Sequence, residues 1–134
     1  MRDPLWQLQQ AIYTRLDTDL TATVYDWLPN PPTTPYVLME TETSEESELS
    51  KDFSLSGCSI TLLAVSSSKG GQELKELVDD VLTSMATTLT LTGDWKVIRQ
   101  RGRPRVTTFR AETSDKSPAR AARLVYTFDI QDIS

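Results

Sequence analysis

Asp79 and Asp80 are adjacent carboxylates, a residue type suited to acid–base or magnesium chemistry. They fall in a stretch with helical periodicity, where neighbouring residues point about 100° apart, so the two side chains do not share a face. We therefore interpret them as structural. The sequence contains no histidine, the most common general base near neutral pH. It also has no G-x-S-x-G, Walker A or G-x-G-x-x-G pattern, so we predict that the protein is not an enzyme and needs neither cofactor nor metal.

The composition predicts one globular domain spanning residues 1–134, with 38% hydrophobic and 25% charged residues. A net charge of -5 argues against a general binder of nucleic acid or of anionic membranes. No stretch resembles a signal peptide or approaches the ~20 apolar residues that span a bilayer, so we expect no membrane partner. The single cysteine, Cys58, lies in an apolar run and is predicted to be a small buried side chain.

An arginine-rich segment, Arg99 to Arg105, reads R-Q-R-G-R-P-R. Its R-G-R-P core is similar to an AT-hook, an extended arm that binds the narrow minor groove of A·T-rich DNA. AT-hooks usually occur in disordered basic tails, whereas this segment lies between two strand-like stretches. A solvated or interface loop is therefore the favoured interpretation, and a DNA-contacting arm is the alternative.

Opposite charges are concentrated in two separate segments. Residues 99–123 contain eight basic and two acidic residues, whereas residues 40–52 contain six acidic residues and one lysine. The segments can pair within one subunit, remain solvated, or join acid to base between subunits, head to tail, in a closed ring. The candidate contacts of the ring hypothesis are Glu40, Glu42, Glu45, Glu46, Glu48, Arg99, Arg101, Arg103, Arg105 and Arg110.

Hydrophobic periodicity predicts the two helices of the domain. Asp3 can cap a helix that begins at Pro4 and continues to about residue 18, and a second helix extends from Gln72 to about Thr88. Outside the helices, four prolines between Pro29 and Pro35 predict a turn-rich connector. Trp6, Trp27 and Trp95 could stack on bases or sugars, but at apolar spacing they are expected in the core or in subunit contacts.

Apolar alternation predicts the strands. The first predicted strand begins at Tyr36 and continues into the acidic segment. The others cover Asp52 to Val65, Trp95 to Ile98, Val106 to Ala111 and Leu124 to Ile130. The apolar phase changes within the second of them, so we predict a β-bulge near Ser56 and Gly57. Short connections require antiparallel pairing. The sequence therefore predicts an α+β domain, with a mostly antiparallel sheet of four to five strands and two helices packed on one face.

This ordered pattern resembles the tail terminator, or tail-completion, proteins that join tails to heads in long-tailed bacteriophages. The resemblance covers nearly the whole chain and is made of hydrophobic and turn patterns. The stretches that carry it are Asp3-Pro4-Leu5, Val24-Tyr25-Asp26, Pro35-Tyr36-Val37-Leu38, Leu62-Leu63-Ala64-Val65 with the Ser/Lys/Gly loop after it, Glu73-Leu74 to Leu82, Leu89-Thr90-Leu91, and Arg123 to Phe128.

The resemblance implies a structural virion protein that assembles in the host cytoplasm as a ring, usually hexameric, at the head-proximal end of the tail tube. There it would end tube polymerisation and join tail to head. The implied partners are further copies of the chain, the tail tube protein and a head-completion or connector protein. Two alternatives remain open: a protein that contacts DNA, including DNA passing through a ring, by the Arg99–Arg105 loop, and an unrelated α+β adaptor domain.

Overall fold

This computed structural model describes residues 3–29, 31–46, 55–68, 70–112 and 118–133. They contain two helices and six strands. In chain order they are α1 (Leu5–Asp19), β1 (Thr23–Tyr25), β2 (Tyr36–Glu46), β3 (Leu55–Ser66), α2 (Gln72–Ser84), β4 (Trp95–Gln100), β5 (Arg105–Glu112) and β6 (Pro118–Asp132). The predicted α+β class is confirmed, although the sheet has six strands instead of four to five. None of the helices in these ranges is long and apolar enough to cross a membrane.

The sheet has the strand order β1-β2-β3-β6, and β4 and β5 both pair with the remaining edge of β6. All neighbouring strands are antiparallel except β1 and β2, which are parallel, so the sheet is mixed. The connector after β1 returns the chain so that β2 runs in the same direction as β1. Because β1 has only three residues, it carries too little periodicity to be predicted from sequence.

Both helices pack on one face of the sheet, as predicted. Leu8, Ile12 and Leu16 are the buried residues of α1, and α2 buries a stripe that includes Leu74 and Val81. They join the even-numbered side chains of β6 in the main hydrophobic core. A smaller apolar cluster on the opposite face contains Tyr36, Val65, Ala119 and Ala121.

The junction of the two helices depends on polar contacts. The helical pattern places Arg15 on the outward side of α1, yet its Nη1 donates to the backbone carbonyls of Ser84 (2.9 Å) and Thr87 (3.0 Å). No basic residue lies in the last turn of α2, so Arg15 supplies the cation that the negative helix end favours. The Ser84 hydroxyl in turn donates to Asp19 Oδ2 at 2.7 Å.

The predicted bulge near Ser56 and Gly57 is wrong. β3 pairs with β6 in unbroken register from Leu55 to Ser66, and the irregularity lies in β2, between Met39 and Thr41. The apolar phase changes because both faces of β3 are covered at its beginning, where Leu55, Ser56, Gly57 and Cys58 are all buried.

Candidate interaction surfaces

The arginine-rich segment connects β4 to β5 along one edge of β6. Gln100 pairs with Phe128 and Arg105 pairs with Val125, so residues 101–104 lie opposite only residues 126 and 127. The Arg101 amide donates to the Thr127 carbonyl at 2.8 Å, and Gly102 has a φ of 64°, in the left-handed region that favours glycine. Residues 101–104 therefore form the predicted loop, which joins two consecutive strands without reversing the chain, whereas Arg99 belongs to β4 and Arg105 begins β5.

Two of the arginines bind a buried carboxylate. Asp129 on β6 is 0% exposed, and its Oδ2 accepts from Arg99 Nε at 2.9 Å and from Arg101 Nε at 3.1 Å. Arg101 Nη2 also donates to Asp129 Oδ1 at 2.6 Å. Buried charges are stable only when they are paired and hydrogen-bonded, so this cluster is part of the folded monomer. Strand alternation alone does not reveal it, because Asp129 occupies a position that reads as an outward-facing polar residue.

Gly57 gives Arg101 the space to reach Asp129. Gly57 is the register partner of Asp129 on β3, and a Cβ at Gly57 would lie 2.9 Å from Arg101 Nη2. Any side chain at Gly57 would displace a guanidinium that the carboxylate holds in place. Since Arg101 is the first arginine of the R-G-R-P pattern, this arrangement does not favour the DNA-arm interpretation.

Glu40, one of the predicted interface residues, pairs within the subunit. Arg123 Nε donates to Glu40 Oε1 at 2.7 Å, and Arg123 Nη2 donates to Glu40 Oε2 at 3.2 Å. The guanidinium carbon of Arg123 lies 4.6 Å from the centroid of the Phe109 ring. This contact links β2, β6 and β5 across the face opposite the helices.

The remaining acidic candidates begin in the C-terminal half of β2, beyond the three residues that pair with β1. Glu42 pairs with Ile60 and lies on the helix side of the sheet, whereas Glu45 is exposed opposite Gly57. Partial burial raises the pKa of Glu42 above its ordinary value of 4.5, and the charges of Asp26 and Asp3 raise it further. Glu46 ends β2, and Glu48 lies outside the described residues.

The remaining basic candidates are exposed along β5 and the loop before it. Arg103, Arg105 and Arg110 have exposed side chains. None of them makes an ion pair with another described residue. Only these three of the five predicted arginines are therefore available to a partner.

The three tryptophans, the single cysteine and the adjacent aspartates lie in different environments. Trp95 is in the core, but Trp6 and Trp27 are 59% and 75% exposed, so only Trp95 is a core tryptophan. Cys58 is buried, as predicted, and burial raises the pKa of its thiol to about 11. Asp79 and Asp80 are exposed on α2. Within the ranges that the structure covers, no group of three or more His, Cys, Asp or Glu residues could hold a metal ion.

No protein-family model matches the chain, and no curated protein matches it. Among solved structures, it is similar to a chain in the virion of a native gene transfer agent (GTA) particle, with a TM-score of 0.81 and 19% sequence identity. The match covers 98% of this chain and 99% of the other. The two chains therefore share one fold over their whole lengths.

Proposed function

We propose that this protein is a structural virion protein that forms a hexameric ring at the head-proximal end of a phage-like tail tube. The ring ends tube polymerisation on one face and offers the other face to a head-completion or connector protein. The observation that carries the proposal is the whole-chain likeness of fold to a chain of a GTA virion. The pattern resemblance to tail terminators supports the more specific role.

Two open strand edges support a ring in which each copy binds the next. β1 pairs only with Tyr36–Leu38 of β2, and none of the described residues forms a strand on the rest of that edge. β5 pairs with β6 alone, so its outer edge is also open within the same ranges. An open edge presents backbone donors and acceptors to another strand. Because β2 and β5 run in opposite directions within the sheet, head-to-tail addition would pair them antiparallel.

The charges on these edges are complementary. Glu42 and Glu45 lie along the open part of β2, and Arg103, Arg105 and Arg110 lie along β5 or directly before it. Such an arrangement favours contact between unlike edges and disfavours contact between like edges. A heterologous contact of this kind closes into a ring when its rotation fits.

Paired charge reversals test the ring. The basic-edge variant, Arg103→Glu with Arg105→Glu, and the acidic-edge variant, Glu42→Arg with Glu45→Arg, should each fail to form rings in native mass spectrometry. Mixed in equal amounts, they should form alternating hexamers, because each then faces an oppositely charged edge. Arg101 is left intact, since its reversal would disrupt the Asp129 cluster.

The control is Asp79→Lys with Asp80→Lys, which reverses two exposed charges on α2 and should leave assembly unchanged. Rings that form from either edge variant alone would contradict the proposed interface.

The role itself is tested by interrupting the gene and imaging the particles. Tails of abnormal length beside full, tailless heads support a terminator, and normal virions would overturn it.

A further inference from the structure

An unbalanced pair of arginines lies on the β5–β6 hairpin, on the same side of the sheet as the helices. Arg110 and Arg120 are register partners, so their side chains leave the sheet on the same face. Like charges directly opposite one another destabilise a strand pair. Neither guanidinium forms an ion pair or a hydrogen bond with the described part of the chain.

Both arginines line two adjoining clefts. One has a volume of about 420 Å³ and is shared with Ser67, Ser68 and apolar residues of the hairpin. The other has a volume of about 250 Å³ and is shared with Gly71 and Lys75. The two cations thus stand between two open spaces, where a ligand can reach both.

Positive groups border the smaller cleft, and one carboxylate, Glu112, lies beside Arg110 in a neighbouring pocket. Gly71 lies at the N-terminus of α2, where the helix dipole is positive, and its Cβ position is 3.8 Å from Arg120 Nη1 and 3.9 Å from Lys75 Cε. Glu73, the acidic residue of this helix turn, accepts a hydrogen bond from the Ser66 hydroxyl at 2.6 Å. That carboxylate is engaged with Ser66 and is not paired with either arginine.

We propose that Arg110 and Arg120 form a binding site for the carboxylates of an acidic segment of another protein chain. Planar guanidinium groups match carboxylates through two parallel hydrogen bonds. The lining favours a protein segment over DNA, because the exposed Pro118, on the same face, offers apolar contact beside the charges. Arg110 also lies on the proposed ring edge, whereas Arg120 lies on β6, which pairs on both sides, so Arg120 distinguishes this site from the ring contact.

An NMR titration tests the site with a synthetic peptide of residues 40–48, Glu-Thr-Glu-Thr-Ser-Glu-Glu-Ser-Glu, as the acidic probe. The peptide should shift the Nε–Hε signals of Arg110 and Arg120 and the Gly71 amide. Arg110→Ala with Arg120→Ala should weaken binding by about tenfold or more, as expected from losing charge-assisted hydrogen bonds. The control Lys96→Ala removes one exposed cation on β4, outside the clefts and outside the proposed ring contact, and should change affinity by less than about twofold.

Two further probes, inorganic phosphate and a short DNA duplex, identify the ligand class. Two outcomes support the site. Phosphate should shift the same signals more weakly than the peptide does, and the peptide should bind more tightly than the duplex. A duplex that binds the two arginines more tightly than the peptide would overturn the choice of a protein partner. Unchanged Arg110 and Arg120 signals with all three probes would overturn the site. Folding is checked separately, because removing a repelling pair should not lower the melting temperature of the double variant.

Discussion

At the residue scale, Asp129 determines which arginines can serve a partner. Its carboxylate is fully buried, whereas the side chains of Arg99 and Arg101 are 51% and 33% exposed. The two sides of this cluster therefore respond differently to truncation. An arginine that loses Asp129 still reaches water, but Asp129 without both arginines remains a buried charge.

We expect Arg99→Ala with Arg101→Ala to lower the free energy of unfolding by about 3–5 kcal/mol, the usual cost of breaking a buried ion pair by removing its partner. Asp129→Asn should cost less, about 1–3 kcal/mol, because it leaves hydrogen-bonding groups that water can reach. Urea denaturation measures both. Adding Asp129→Asn to the double arginine variant should recover stability, and Arg103→Ala should stay within about 0.5 kcal/mol of the parent. If Asp129→Asn proves the more damaging change, the cluster does not work in this way.

The same residues show what can be inferred from sequence about a charged site. The types and clustering of the arginines are visible in the sequence, so the arginine-rich loop is predicted between its strands. Their partner is not visible, because Asp129 and Glu40 are distant in sequence from the residues they bind and become neighbours only through strand register. Strand alternation predicts which face a side chain occupies, and it does not predict whether another side chain covers that face.

At the element scale, long periodic elements are predicted best. The first helix was expected from residue 4 to about 18 and is found at Leu5–Asp19, where the Asp3 carboxylate accepts from the Leu5 amide at 3.0 Å. β1 and the position of the bulge were missed, since a three-residue strand and a shift in a neighbouring strand leave no apolar period of their own. The collinear arrangement of β4 and β5 was also beyond sequence pattern, because it depends on the length of β6.

The proposed edge contact makes a prediction about backbone protection. In the monomer, outward amides of β5 and of residues 41–45 of β2 lack a strand partner among the described residues, so they should exchange hydrogen quickly. Ring assembly should slow exchange in both stretches together, whereas β3, which pairs on both sides, should change little. Hydrogen–deuterium exchange with mass spectrometry on monomer and ring measures this. Rings that leave both edges as exchangeable as before would place the subunit contact elsewhere.

At the scale of the whole molecule, the net charge of -5 conceals two edges of opposite sign. In the isolated subunit, burial raises the pKa of Glu42 on the acidic edge, and the charges of Asp26 and Asp3 raise it further, so its ionised form is disfavoured. A carboxyl whose folded pKa is raised contributes stability below its unfolded pKa, and that contribution is lost as the pH rises through the folded pKa. Glu42→Gln should therefore stabilise the monomer at neutral pH.

Assembly should have the opposite pH dependence. A guanidinium from the next copy would lower the pKa of Glu42, so the ring binds fewer protons than free subunits and becomes more stable as the pH rises through the raised pKa of Glu42 in the free subunit. We expect weaker association at about pH 5 than at about pH 7.5, measured by analytical ultracentrifugation, and a smaller difference for Glu42→Gln. Asp79→Asn, which removes an exposed helix charge, should keep the parent's pH dependence. If Glu42→Gln retains the full pH dependence of association, Glu42 does not contact a cation in the ring, and the acidic edge has another partner.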